Sequence, residues 1–518
     1  MEFVIDLESN ANVPLFRKIS NALRKAILEG RLQAGQPAPS IRDLAKSLEI
    51  SRTTVLKAYD DLQSQGYFEA ISGMGTFVSK KSAEFINMAP EQERPLQRAK
   101  VQPCVQFTQL GRRLLTQSVV QPISSSATRD SIAIDLLPVS IWKRILTAQY
   151  HVDVLSDLEE DCDPLGYYPL RKSIAGYVSR ARAIKCKPEQ IVVFSEAEHA
   201  IDAICRLMLD ANDTVVVEDP GDMAARSIMH AHGAEVLPIA VDESGISVSQ
   251  LSGLEQKIKV AYVSPSNQKP SGGQMALGRR HQLLQWAQRT GALIVEDDSG
   301  SEFRFGTTPE PAIQALAQSD TVIYLKSFGT LLSPMVKMAF LIVPECMIAA
   351  MTAVKEQLQR QCSLLDQVVM TEFIEEGHLE RYIRRTSSMY KSRRQAMIFS
   401  ISRFVGPRAK VSRVANGTFV RLQIESSLAD EFLLQLAQEA KLKMSSTSAF
   451  YSGEAKKGEF ILHFAPLDEE AIESRVRRFA FSIDQHEKQE DQASRLLPLR
   501  PETQVAAIVH PFGIAAGT

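Results

Sequence analysis

The stretch from Ser40 to Phe77 leaves this chain fewer folds to choose from than any other part of it. Ser40 followed by Asp43 makes a capping box, and Ser51 offers a second N-cap just before an apolar-periodic run. That run predicts a helix over roughly Arg52 to Gln65, in which Val55, Tyr59 and Leu62 recur at helical spacing and must be buried. They pack against a preceding helix whose Ala45 and Leu48 face inward. Only Glu49-Ile50-Ser51 separates the two, the connection expected of a helix-turn-helix. Gly66 closes the second helix. Tyr67 to Val78 then reads as a hairpin with its tip at Ser72-Gly73-Met74-Gly75, placed as a wing.

The first turn of the second helix gathers groups suited to a DNA major groove: Arg52 for guanine or phosphate, Thr53 and Thr54 for base edges or methyls, and Lys57 for phosphate. Arg42 adds a cation at the start of the helix before it. Asp60 and Asp61 sit two turns on, where a docked helix leaves the groove. A small helical bundle with an ordinary solvated face has the same spacing, and the helix pair alone does not separate the two readings.

Further residues do separate them. Val13-Pro14-Leu15-Phe16, Gly30-Arg31-Leu32-Gln33-Ala34-Gly35, Pro39-Ser40-Ile41-Arg42, Ser51-Arg52-Thr53-Thr54-Val55 and Gly73-Met74-Gly75-Thr76-Phe77-Val78 together resemble the winged helix of the GntR family of bacterial regulators. The resemblance covers about the first eighty residues and implies that Arg42, Arg52, Thr53, Thr54 and the wing glycines Gly73 and Gly75 lie at the DNA.

A chain of 518 residues exceeds what one core usually holds. Its 44% apolar and 23% charged content is ordinary for a globular protein, and a net charge of -2 argues against coating nucleic acid non-specifically, so DNA binding would be local. Cys104, Cys162, Cys186, Cys205, Cys346 and Cys362 form no C-x-x-C pair, which suggests neither a disulfide framework nor a zinc site and fits a reducing compartment. The acidic MEFVIDLESN start and the lack of an apolar run of spanning length point to a cytoplasmic protein without a membrane span.

Taken in order, residues 1–81 are expected to form the winged-helix domain, on a helix over Leu15 to Glu29 with Ile19, Leu23, Ala26 and Ile27 inward. Residues 82–126, rich in Pro, Gln and Ser, read as a linker with one short helix near Leu110 to Leu115. From 127 to 362, apolar runs at Gln190 to Ser195, Asp213 to Glu218, Ile258 to Val263, Leu293 to Glu296 and Val322 to Lys326 alternate with amphipathic helices. That pattern predicts a mainly parallel sheet covered on both faces. A smaller α+β part over 363–483 follows, with a long basic helix through His378 to Met397 and strands at Gly417 to Ile424 and Glu459 to Phe464. Residues 484–518 read as a disordered tail.

The fold class is therefore a winged helix-turn-helix joined to a large α/β domain. Asp163-Pro164-Leu165-Gly166-Tyr167, Val217-Glu218-Asp219-Pro220-Gly221, Ser264-Pro265-Ser266-Asn267, Glu296-Asp297-Asp298 and Tyr324 to Pro334 keep a shared order that resembles the fold-type I aminotransferases. The closer resemblance is to the aminotransferase-like domain of the MocR subgroup of GntR regulators, over about residues 130 to 482.

That family's cofactor is pyridoxal phosphate, held as a Schiff base by a lysine at the end of a Ser-Phe-x-Lys segment. The corresponding residue here is Thr330, whose hydroxyl cannot form an imine, so covalent pyridoxal phosphate and any catalytic residue are expected to be absent. Lys326, four residues earlier, would be displaced by roughly 13 Å at strand rise, too far to stand in. The resemblance implies that Asp297 matches the partner of the pyridine nitrogen, with Asn267 and Lys337 as further remnants of a cofactor site. Ser299 replaces a tyrosine, Glu196 a glycine before the phosphate turn, and Lys337 a phosphate-binding arginine. The strand Phe460 to His463 carries no arginine to clamp a substrate carboxylate, and Arg421 cannot be assigned to that role. For Asp297 and Asp298 a solvated strand end, and for Gly272-Gly273 a plain turn, remain open.

Three functions follow for comparison. The first is a transcription regulator acting on double-stranded DNA at a two-half-site operator, with a degenerate aminotransferase-like domain that forms a homodimer and takes a small-molecule effector. The second is a pyridoxal phosphate-dependent enzyme or cofactor-responsive regulator with a DNA-binding domain. In the third the large domain only pairs subunits. No metal site is expected in any of them.

Overall fold

The computed structural model describes residues 14–80, 107–120, 131–151, 163–254, 257–306, 309–358, 362–412 and 416–496. The chain divides between residues 106 and 107 into two units. Cys104, Cys162, most of the expected linker and residues 497–518 lie outside the described residues.

The first unit contains α1 (Leu15–Leu28), α2 (Ile41–Ser47), α3 (Arg52–Ser64), β1 (Phe68–Ile71) and β2 (Gly75–Val78). The Ser40 hydroxyl accepts the Asp43 N–H and the Ser51 hydroxyl accepts the Thr54 N–H, each at 3.2 Å, so both helices start where their capping residues place them. Glu49 takes φ 53° in the turn between them. Val55, Ala58, Tyr59 and Leu62 meet Ile19 and Leu23 of α1 in the core, and Tyr59 packs on Phe68 with ring centroids 4.9 Å apart. β1 and β2 pair antiparallel from Phe68↔Val78 to Ile71↔Gly75, and Gly73 at φ 78° turns the tip.

In the second unit the eight-stranded sheet runs β3 (Ile191–Phe194), β10 (Ala339–Ile342), β9 (Val322–Ser327), β8 (Leu293–Asp297), β7 (Ile258–Val263), β4 (Thr214–Asp219), β5 (Glu235–Asp242) and β6 (Gly245–Ile246). β9, β8, β7, β4 and β5 pair in parallel, and β10 runs antiparallel to both its neighbours. Alternate residues of β4 feed different cores: Val215 and Val217 belong to one cluster and Val216 to another, as expected of a sheet covered on both faces. A second sheet, ordered β11 (Ala409–Val411), β12 (Phe419–Ile424), β14 (Glu459–His463) and β13 (Met444–Ser446), is antiparallel throughout.

Helix Leu364–Glu375, expected to open the smaller part, shares a core cluster both with helix Tyr168–Arg182 and with residues of β12 and β14, and Gln367 Oε1 accepts the Tyr167 N–H at 2.8 Å. The expected structureless tail from 484 is corrected over 484–496, because the last helix runs Glu469–Leu496. Arg408 holds both Asp484 and Glu487, and the Ser426 hydroxyl donates to Glu487, which extends the helix past the expected boundary.

Candidate functional site

Two places gather side chains suited to recognition, one in each unit. On α3 the buried stripe faces α1 and α2, and the opposite face exposes Arg52, Thr53 and Lys57. Arg42 is exposed at the start of α2, and Gly73 and Gly75 are exposed at the hairpin tip. Thr54 is half-buried, and its hydroxyl lies 2.7 Å from Ser51 Oγ, so it serves the start of the helix as well as its surface. Leu56, which periodicity places out of phase with the core and which sequence reasoning passed over, is 47% exposed. It stands one turn on from Arg52 and Thr53 and beside Lys57. Met74 at the hairpin tip is exposed as well.

The second place is a cleft of about 250 Å³ at the C-terminal ends of the parallel strands. Asp297 ends β8, and its carboxylate accepts from the Tyr262 hydroxyl at 2.7 Å and from the Ser299 N–H at 2.9 Å. Burial pushes the Asp297 carboxyl above its ordinary range, with the Ser299 side chain, the Tyr262 hydroxyl and the Lys269 charge acting the other way. Thr330 lies in the single helical turn Gly329–Leu332 that follows β9, and its hydroxyl donates to Ser327 O at 2.8 Å. Asp297, Thr330, Ser299, Glu196 and Lys337 all line this cleft, so five positions spread over the sequence converge in space.

Asn267 is not among the cleft's lining residues. It is buried beside Gly300 and Gly417, where a Cβ on Gly300 would meet its amide nitrogen at 2.9 Å. Lys337 Nζ lies 2.6 Å from Glu196 Oε1. Lys269, which sequence reasoning did not single out, lines the same cleft and stands 3.9 Å from Asp222.

Lys326 is turned away from this cleft. Its ammonium is buried against Glu302 at 2.6 Å and Asp298 at 3.4 Å, and it donates to Ser301 Oγ. Asp298 also accepts from Arg182 at 2.9 Å and from the Tyr324 hydroxyl at 2.7 Å. Burial would raise the Asp298 carboxyl, but the Arg182 and Lys326 charges outweigh it and hold it below its ordinary range. The solvated strand end left open for Asp298 is therefore excluded: it is the hub of a buried ionic network.

The smaller sheet closes one side of the cleft through Phe450. Phe450 clusters with Phe419 of β12 and Ile461 of β14, an apolar surface on the strand that carries no arginine. Arg421 pairs with Glu459 at 3.3 Å. The Phe450 segment is fastened to the larger sheet: Gly221 N–H donates to Phe450 O at 2.9 Å, Arg226 donates to Ala449 O at 2.7 Å, and Ser452 N–H donates to Asp219 Oδ1 at 2.8 Å. Among the described residues no group of three or more His, Cys, Asp or Glu is placed to hold a metal ion, and no helix is long and apolar enough to cross a membrane.

Comparison with known proteins matches both units. Residues 15–78 fit the family model of bacterial regulatory proteins of the gntR family, and residues 148–479 fit that of aminotransferase class I and II. A probable rhizopine catabolism regulatory protein, MocR, of Rhizobium meliloti is 30% identical over 472 residues, covering 89% of this chain and 92% of its own length. The pyridoxine biosynthesis transcriptional regulator PdxR of Corynebacterium glutamicum is 25% identical over 457 residues, covering 88% and 93%. Among solved structures, the α-aminoadipate aminotransferase LysN of Thermus thermophilus superposes with a TM-score of 0.65 at 25% identity, covering 73% of this chain and 97% of that one.

Proposed function

The chain belongs to the MocR-type bacterial regulators of the gntR family, DNA-binding regulators that carry an aminotransferase-like domain, and from this premise we propose how its parts divide the work. α3 enters the major groove of double-stranded DNA, where Arg52 and Thr53 reach base edges, Lys57 and Arg42 neutralise phosphates, and the wing at Gly73 and Gly75 follows the adjacent backbone. Leu56, exposed between them, supplies an apolar contact for a thymine methyl. One such helix makes few base contacts, so two subunits reading two half-sites are needed for specificity, and the large domain is the part that pairs them. The protein works in the cytoplasm, where its operators are.

The large domain senses a small molecule and does not catalyse. The observation that supports this reading is at Thr330, which the sequence resemblance sets at the Schiff-base position: its hydroxyl is bonded to Ser327 O, and Lys326 is locked into the Asp298 and Glu302 network. The residues present do not fit pyridoxal phosphate. Both amines that line the cleft, Lys269 and Lys337, face carboxylates, and the sequence resemblance sets Glu196 where its phosphate would go. A carboxylate within about 4 Å of a phosphate costs roughly 4 kcal/mol per charge pair at an effective dielectric near 20.

The test is selection of bound fragments from genomic DNA with the purified protein, followed by footprinting of the selected sites. Paired half-sites protected by the wild-type protein and lost with Arg52→Ala are expected. Turnover of amino-acid and keto-acid mixtures by the same preparation would overturn the non-catalytic reading.

A further inference from the structure

The cleft's charges are already matched against anions. Its two ammonium groups each face a carboxylate of the chain, Lys337 at 2.6 Å from Glu196 and Lys269 at 3.9 Å from Asp222. The amino end of helix Ala197–Met208, a natural anion site, is flanked by Glu196 at its N-cap and Glu198 in its first turn. Two lining carboxylates remain in excess, Glu198 and Asp297. No ion pair within 4.0 Å joins Asp297 to a basic side chain among the described residues; it accepts from the Tyr262 hydroxyl and a backbone N–H, and the Lys269 charge acts on it from farther off.

A second observation points to a ligand at the same place. The Ser299 side chain lines the cleft at only 9% exposure, and its hydroxyl oxygen lacks a hydrogen bond of good geometry, although it is close enough to Asp297 to lower that carboxyl. On the same cleft, the Thr330 hydroxyl spends its proton on Ser327 O and keeps its lone pairs for an incoming donor. Ile201, Met223, Met338 and Phe450 give the cleft an apolar stretch, alongside the smaller polar Ser195, Ser327 and Ser333.

Taking the cleft as the sensing site proposed above, we infer that its ligand is a small organic cation: a primary amine on an apolar body, without phosphate or carboxylate. The ammonium sits between Asp297, Ser299 Oγ and Thr330 Oγ1, and the body lies against Phe450 and Met338. A phosphate or carboxylate would instead meet Glu196 and Glu198 with no spare cation to answer it.

Thermal unfolding of the full-length protein with probes matched in shape and opposite in charge tests this. Phenethylamine and cyclohexylamine are compared with 3-phenylpropionate, cyclohexanecarboxylate, inorganic phosphate and pyridoxal phosphate. A melting temperature that climbs with amine concentration and stays level with the anions is expected. Asp297→Asn should abolish the climb, and Glu198→Gln, at the rim, should weaken it even if the first variant folds poorly. Stabilisation by the anions alone overturns the cationic ligand while leaving the sensing cleft in place, and stabilisation by none of the six overturns both. Amine stabilisation undiminished in both variants would put the amine elsewhere and overturn the assignment.

Discussion

Lys337 Nζ reaches Glu196 Oε1 at 2.6 Å across neighbouring strands, and the sheet register explains why. β10 pairs antiparallel with β3 through Ala339↔Phe194, so two residues before the one and two after the other come face to face. The two substitutions at the expected phosphate site compensate one another: the carboxylate that would repel a phosphate neutralises the ammonium that would attract it. Both are partly exposed, so the pair adds little to stability. On the proposed sensing role, its effect is on what the cleft admits.

Glu196→Gln should free the Lys337 charge. Pyridoxal phosphate and inorganic phosphate are then expected to bind ten- to about a thousandfold more tightly than to the wild type, the upper figure matching one charge pair at intermediate dielectric. Isothermal titration of both proteins measures it, and equal affinities would mean that the phosphate does not approach this pair.

Incubation of the wild-type protein with pyridoxal phosphate should give no stable absorbance near roughly 420 nm and no borohydride-fixed adduct. Mass spectrometry of the reduced protein checks this directly. A peptide labelled at any lysine of the cleft would overturn the reading of Thr330.

Arg52→Ala is expected to weaken specific DNA binding by about 1–3 kcal/mol, and Lys57→Ala to reduce the salt slope of binding by about one. Filter binding across a salt series separates the two effects. Unchanged footprints in both variants would remove α3 from the groove.

Leu56→Ala should cost affinity only on operators that carry a thymine methyl under the helix. Replacing each thymine of a half-site in turn by deoxyuridine should weaken the wild type at one position, by about 1 kcal/mol as for one buried methyl group, and leave the variant indifferent there. A wild type insensitive to every replacement contradicts the contact.

Burial pushes Glu218 from its ordinary 4.5 up to about 8. Between those values the folded chain keeps a proton that the unfolded chain has released. The contribution is fully present below 4.5, falls as pH rises, and is gone above 8. Urea midpoints should therefore decline for the wild type from pH 5 to 8, by on the order of a few kcal/mol from this group, and decline less for Glu218→Gln. Parallel profiles would show that Glu218 is not the group responsible.

The winged helix was legible because its information is local: Ser40 and Ser51 cap helices that begin one residue later, and Val55, Tyr59 and Leu62 mark the buried face within one helix. Five strands of the large sheet were legible from continuous apolar runs, since strands covered on both faces need them. β5 was missed because Glu235–Asp242 mixes exposed and half-buried residues around the buried Ile239 near the sheet margin; β10, Ala339–Ile342, is as short and as buried as β3 and has no such explanation. At the cleft, Asp297, Thr330, Lys337 and Asn267 could be singled out by order along the chain; the first three line the cleft, and Asn267 is buried beside Gly300 and Gly417. The Glu196–Lys337 pair lay beyond sequence reasoning, because it depends on the register of two strands far apart in the chain. Leu56 escaped because a periodic search looks for apolar residues that are buried.

The fastening of Phe450 to the larger sheet bears on how the cleft could report its contents. Backbone bonds from Gly221 and Ser452 and the Arg226 clamp already hold the two walls together. Filling the space between them would therefore register as stiffening: slower amide exchange along residues 446–452 and 219–226, with the backbone path through both segments unchanged.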